Sequence, residues 1–158
     1  MPAPYSTPAE IDDYSHIDND TLVPSVKFDV AEKTAAIAKA DARIDYILKD
    51  WENYYVAPVL ANVQSIVNEV SVYYSLYILF DKKAKIVMLM IPDANNFSTG
   101  DLNASTPDSE KKSFYLHYQA LSQIYKIKAE ELLTLVVPPG SDSIRSIFDF
   151  KLSDAMED

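Results

Sequence analysis

The chain has 158 residues, 48% of them hydrophobic, which suits one domain with a core and excludes global disorder. With no cysteine and only Gly100 and Gly140 as glycines, it lacks disulfides, thiolate metal ligands, cysteine nucleophiles and any glycine-rich phosphate loop. Fourteen Lys and Arg against 24 Asp and Glu give a net charge of −10, which phosphate backbones repel, so a nucleic-acid grip is disfavoured.

Met1 to Tyr5 shows neither a basic nor an apolar leader segment, so no signal peptide is expected. The longest strictly apolar run, Ile86 to Ile91, is far short of the ~20 residues that span a bilayer. Thr7-Pro8-Ala9-Glu10 opens the first element: Thr7 can cap, Pro8 suits the first helical position, and Glu10 completes a capping box. A short helix to about Tyr14 follows, then a polar, turn-like stretch over 15–28 that contains Pro24.

Asp29-Val-Ala-Glu32 is a second capping box. Ile37, Ala40, Ile44, Ile47, Leu48 and Trp51 then recur at three- and four-residue spacing, one apolar stripe of a helix over 29–52. Lys33, Lys39, Asp41, Asp45 and Lys49 are expected to face water or a partner. Pro58 restricts Ala57 and can open the next helix, over 58–80, with Val63, Ile66, Val67, Val70, Tyr74 and Tyr77 as its stripe. Its last third is apolar on most faces, so it is covered on more than one side.

Asp81-Lys-Lys83 interrupts this pattern. The run 86–91 is buried, but six residues cannot separate strand from helix by period; non-helical structure is expected over 84–92. Residues 93–108 read as a long Asn-, Ser-, Thr- and Asp-rich loop, so that about 81–107 looks like an insertion. Thr106-Pro107-Asp108 caps a helix over 107–126 with Phe114, Tyr118, Leu121 and Tyr125 as its seam, and a last short helix lies around 129–135. Beyond Pro138-Pro139-Gly140, Phe148, Phe150 and Leu152 alternate with charged residues, which is strand periodicity. The expected fold is therefore mainly α: a bundle of about four helices over 1–137 and an extended C-terminal arm over 138–158.

Chemistry-bearing constellations are few. Glu10, Asp12, Asp13 and His16 suggest a metal cluster, but acids in a first helical turn are favoured by the helix dipole alone. Asp18-Asn19-Asp20 lacks the glycine and distal glutamate of a calcium loop. His117 has no nucleophile elbow beside it. No catalytic residue, metal ligand or cofactor is expected, and the chain reads as non-enzymatic.

Eleven tyrosines are the more telling feature. Tyrosine joins a large apolar face to a polar tip, which suits either a bundle core with hydroxyls at its edge or a subunit interface. Tyr54, Tyr55, Tyr73 and Tyr77 are the interface candidates, while Ile44, Trp51 and Val67 are expected to hold the monomer. Ile144, Arg145, Ile147, Phe148, Phe150 and Leu152 lie past the Pro-Pro-Gly break and are read as an arm that docks on a partner.

Several stretches resemble a known family. These are Tyr5-Ser-Thr-Pro-Ala-Glu-Ile11, Ala40-Asp-Ala-Arg-Ile44-Asp45-Tyr46-Ile47-Leu48 followed by Tyr54, Tyr55 and Pro58, then Tyr73-Tyr74-Ser-Leu-Tyr77, Tyr115 to Leu121 with Ile124, and Arg145-Ser-Ile-Phe148. Together and in this order they resemble a small virion protein of Mu-like prophages and, through it, the head–tail connector (adaptor, head-completion) proteins of tailed phages. The resemblance implies a non-enzymatic homo-oligomeric ring, dodecameric, made in the host cytoplasm and placed in the virion neck. It implies contacts with the portal and with a tail or stopper protein, DNA that only passes through the lumen, and no membrane partner. The alternative from another class is an intracellular acidic helical adaptor or regulator that binds a single protein partner.

Overall fold

The computed structural model describes residues 4–15, 22, 26–48, 59–91 and 106–136, with backbone alone for 59–62 and 106–108. Among the described residues four helices follow one another: α1 (Pro8–Tyr14), α2 (Val30–Leu48), α3 (Val59–Leu89) and α4 (Thr106–Val136). Among the described residues there is no strand, and the mainly α bundle expected from the periodicity is what forms.

Both capping boxes close. Thr7 has extended backbone, its hydroxyl accepts the Glu10 N–H at 3.4 Å, and the Glu10 carboxylate accepts the Thr7 N–H at 2.7 Å. At the start of α2 the Asp29 carboxylate accepts the Glu32 N–H at 2.7 Å, while Glu32 accepts the Asp29 N–H at 3.2 Å. Each box satisfies two backbone donors that a helix start otherwise leaves open.

The most extensive packing is between α3 and α4; α2 lies along α3, and α1 rests on α2 and α3. The core has two linked halves. One gathers Ile11, Phe28, Ile37, Leu76, Phe80 and Tyr118 around the middle of α3. The other joins Ile44, Ile47, Val67, Val70, Tyr74 and Leu133. Ile44 and Val67 are fully buried, as their place on the stripes requires; Trp51, their expected companion, lies outside the described residues.

Three expectations need correction. The triplet Asp81-Lys-Lys83 does not end α3, and 84–89 is helical: the helix runs on to Leu89. Phe80, Ala84, Val87 and Ile91 carry the buried face onward at helical spacing, and Lys83 is tolerated inside because Glu32 neutralises it. The separate helix around 129–135 does not exist either: α4 is continuous from Thr106 to Val136, with Tyr118, Tyr125, Ala129, Leu133 and Val136 on one buried seam. Finally, Lys33 and Asp41 do not face water but are 5% and 2% exposed, because each stands on the apolar stripe of α2 and finds a partner there.

Candidate assembly surface

The segment preceding α1 is stitched to the bundle by polar groups. The Asp41 carboxyl on α2 accepts the Tyr5 N–H at 3.0 Å and the Ser71 hydroxyl of α3 at 2.6 Å. Ser71 in turn meets the Ser6 hydroxyl at 2.7 Å. From α3, the Asn68 amide donates to the Tyr5 carbonyl and to Glu10, and the Tyr5 hydroxyl reaches Asp45. Burial alone would raise the Glu10 carboxyl, but hydrogen bonds from Thr7 and Asn68 outweigh it and hold its pKa below the usual 4.5. This arrangement fixes a short helix that would not hold by itself.

A second polar cluster ties α2 to its neighbours. Glu32 receives Lys82 and Lys83, each at 3.0 Å. Its burial acts to raise the pKa, and these two ammonium groups with the Asp29 N–H more than reverse that. Lys33 turns the other way, to Asp12 on α1 at 2.6 Å. Glu10 and Asp12 are thus engaged in capping and in an ion pair; His16 lies outside the described residues. Among the described residues no three His, Asp or Glu converge as metal ligands would.

Aromatic rings fill the space between α3 and α4. Phe80 stacks on Tyr125 with centroids 5.7 Å apart, approaches Tyr118 at 5.9 Å, and meets Phe28 edge-on at 5.0 Å. Tyr74, Tyr118 and Tyr125 are fully buried core residues. Burial pushes the Tyr74 hydroxyl up to about 12, although the Arg43 guanidinium, 4.7 Å over its ring, pulls the other way.

Of the four tyrosines expected at an interface, two are described. Tyr73 is half-buried: its ring stacks on Tyr125 at 6.0 Å, meets Tyr14 edge-on at 5.6 Å, and carries the Lys128 ammonium at 5.4 Å. Its burial, then Glu69 beside it, raises the hydroxyl pKa. It borders an open cleft of about 420 Å³ with Glu69, Lys128, Glu131, Leu132 and Leu135. Tyr77 is half-buried against both halves of the core, and its carbonyl accepts the Ser122 hydroxyl at 3.4 Å. Tyr54 and Tyr55, and the whole arm with Ile144, Arg145, Ile147, Phe148, Phe150 and Leu152, lie outside the described residues.

Core-seeking periodicity passes over one surface feature of the described residues. Opposite its buried seam, α4 displays Leu116, Ile124, Ile127 and Leu135, exposed by 57%, 47%, 52% and 68%. With Ala120, also exposed, they recur at three-, four- and eight-residue steps and so share one outward face. The cleft beside Tyr73 adjoins the C-terminal end of this face through Glu131 and Leu135. No helix among the described residues is long and apolar enough to cross a membrane. Comparison with protein-family models, with curated proteins and with solved structures gave no match.

Proposed function

We propose that the chain is a non-enzymatic structural protein of a tailed-phage virion, a connector that assembles as a ring beneath the portal and lets DNA pass to the tail. The observation that carries a role in assembly is the outward apolar face of α4. Exposed apolar side chains that share one face of a helix mark a site that protein covers. The step from assembly protein to connector rests on the resemblance of the chain's ordered stretches to that family. Of the resembling stretches, 40–48, 73–77 and 115–121 lie within helices α2, α3 and α4. The net charge of −10 suits a conduit, since a lumen that held phosphates tightly would hinder their passage.

On this reading Tyr54, Tyr55, Tyr73 and Tyr77 touch neighbouring subunits, and the arm from Ile144 to Leu152 grips the portal. The test is co-expression with a portal protein from the same genome, followed by pull-down and electron microscopy of the complex. A ring on the portal, lost when residues 141–158 are deleted while circular dichroism and melting temperature stay nearly unchanged, is the expected result. A portal that binds the truncated chain as well as the full one overturns the role of the arm. A portal that binds neither overturns the connector.

A further inference from the structure

The outward face of α4 has an internal symmetry in its charges. Leu116, Ala120, Ile124 and Ile127 form its middle. Lys112 and Glu130 stand on one flank, five helical turns apart, and Glu110 and Lys128 stand on the other flank, again five turns apart. One flank therefore reads positive then negative along the helix, and the other reads negative then positive. A second copy of the same face supplies the opposite charge at each of these positions.

We infer that this face is covered by a second copy of the chain, α4 against α4, in an antiparallel pair whose two-fold axis passes beside Ala120. With Ala120 on the axis, Leu116 faces Ile124 of the second copy and Ser113 faces Ile127 of the second copy. In an antiparallel two-fold pair like flanks meet. Lys112 then lies level with Glu130 across the seam, and Glu110 with Lys128; within the chain Glu130 also has Lys126 at 4.0 Å and Lys128 lies over the Tyr73 ring, so the second copy shares these two charges. The small side chain of Ala120 lets the helices approach where they cross. The charges alone would also fit a parallel pair. Two features select antiparallel: it opposes the helix dipoles, and it sets Glu131, which lies in the middle of the face, against Ser109 rather than against its own copy.

The inference takes from the preceding section only that protein covers this face, and is independent of the virion reading. The pair is closed, so it does not itself extend into a ring; a ring contact uses other surface. The stretch from Ser109 to Glu131 is about 33 Å long, narrow for a permanent interface, so the pair exchanges with monomer on dilution.

The test uses the full chain, which has no cysteine of its own. Ala120→Cys brings one thiol to the axis from each copy and should give a covalent dimer under mild oxidation at least tenfold faster than Ala38→Cys, an exposed site on α2. Ser113→Cys, displaced from the axis by two turns, should link no faster than Ala38→Cys. By sedimentation, Ile124→Asp should abolish the dimer. Lys112→Glu should weaken it several-fold, and adding Glu130→Lys in the same chain should restore it. Equal linking at 113 and 120 overturns the antiparallel arrangement. A chain monomeric at every concentration overturns the pair, and if Ile124→Asp also lowers its melting temperature by several degrees, the chain's own residues cover the face. A monomer that still attaches to the portal leaves the connector reading standing, and a dimer that ignores the portal does the reverse.

Discussion

The Asp41 carboxyl on α2 and the Ser71 hydroxyl on α3 are joined at 2.6 Å, with both side chains buried. Asp41 also holds the Tyr5 N–H, so one carboxyl links α2, α3 and the segment before α1. Asp41→Ala orphans two donors, at about 1–3 kcal/mol each when they stay dry. Asp41→Asn keeps an acceptor and the shape, and should cost about half as much. Urea denaturation of the two variants measures the difference. Equal costs would mean that the site tolerates open donors.

The Glu32 carboxylate gives a pH signature. Its folded pKa lies below 4.5 because Lys83 and Lys82 together outweigh the effect of burial. A carboxyl whose folded pKa is lowered contributes stability above its unfolded pKa and loses it as the pH falls through the folded value. Glu32→Gln should therefore lower stability at neutral pH by on the order of 1–2 kcal/mol, the scale of a charge-assisted hydrogen bond. The gap to the parent should close as the pH drops from 4.5 through the lowered value, where the parent is itself protonated. Thermal melts of both chains at about pH 7 and pH 3 check this. A gap that persists at low pH would point to packing rather than charge.

Phe80 is the ring on which α3 meets α4, with Phe28, Tyr118 and Tyr125 around it. Phe80→Ala should cost about 3–5 kcal/mol, since three neighbouring rings cannot collapse into the space it leaves. Phe80→Leu should recover most of that. Near-ultraviolet circular dichroism reports the loss of ring packing separately from helix content.

What the sequence made legible follows from which signals are local. The caps at Thr7 and Asp29 need only four adjacent residues, and both form as read. Ile44 and Val67 lie on unbroken stripes, and both are buried. At Lys33 and Asp41 position outweighs charge: each is four residues from Ile37, on opposite sides, so the stripe itself places them inside. Charge misleads in the same way at Asp81-Lys-Lys83, through which α3 continues. Partners distant in sequence, Glu32 for Lys83 and Asp12 for Lys33, are what make the buried positions acceptable, and no local pattern announces them. The outward face of α4 is hard to read from sequence for a different reason. Leu116, Ile124 and Ile127 fit a helical period as well as the core residues do, and only the packing of α3 against the opposite side shows that they point away.

Lys33 offers the sharpest test of what its ion pair contributes. Its ammonium is almost wholly buried, while Asp12, its partner at 2.6 Å, is half exposed. Removing the acid leaves a charge inside the bundle with nothing to neutralise it, and breaking such a buried pair costs roughly 3–5 kcal/mol when both groups are dry. Solvent at Asp12 reduces that, so Asp12→Ala should cost about 1–2 kcal/mol. Lys33→Met does the reverse: it removes the buried charge, keeps the length of the stem on the apolar stripe beside Ile37, and leaves Asp12 free to be hydrated. That variant should be within about 1 kcal/mol of the parent or more stable than it, as apolar replacements of buried ions often are. The double variant should match Lys33→Met, because once the ammonium is gone the acid has nothing to neutralise. Equilibrium unfolding of the three chains gives the coupling directly. If Lys33→Met proves more damaging than Asp12→Ala, the lysine is holding α1 through the ion pair itself, and α1 should then lose protection from hydrogen exchange in that variant before the rest of the bundle does.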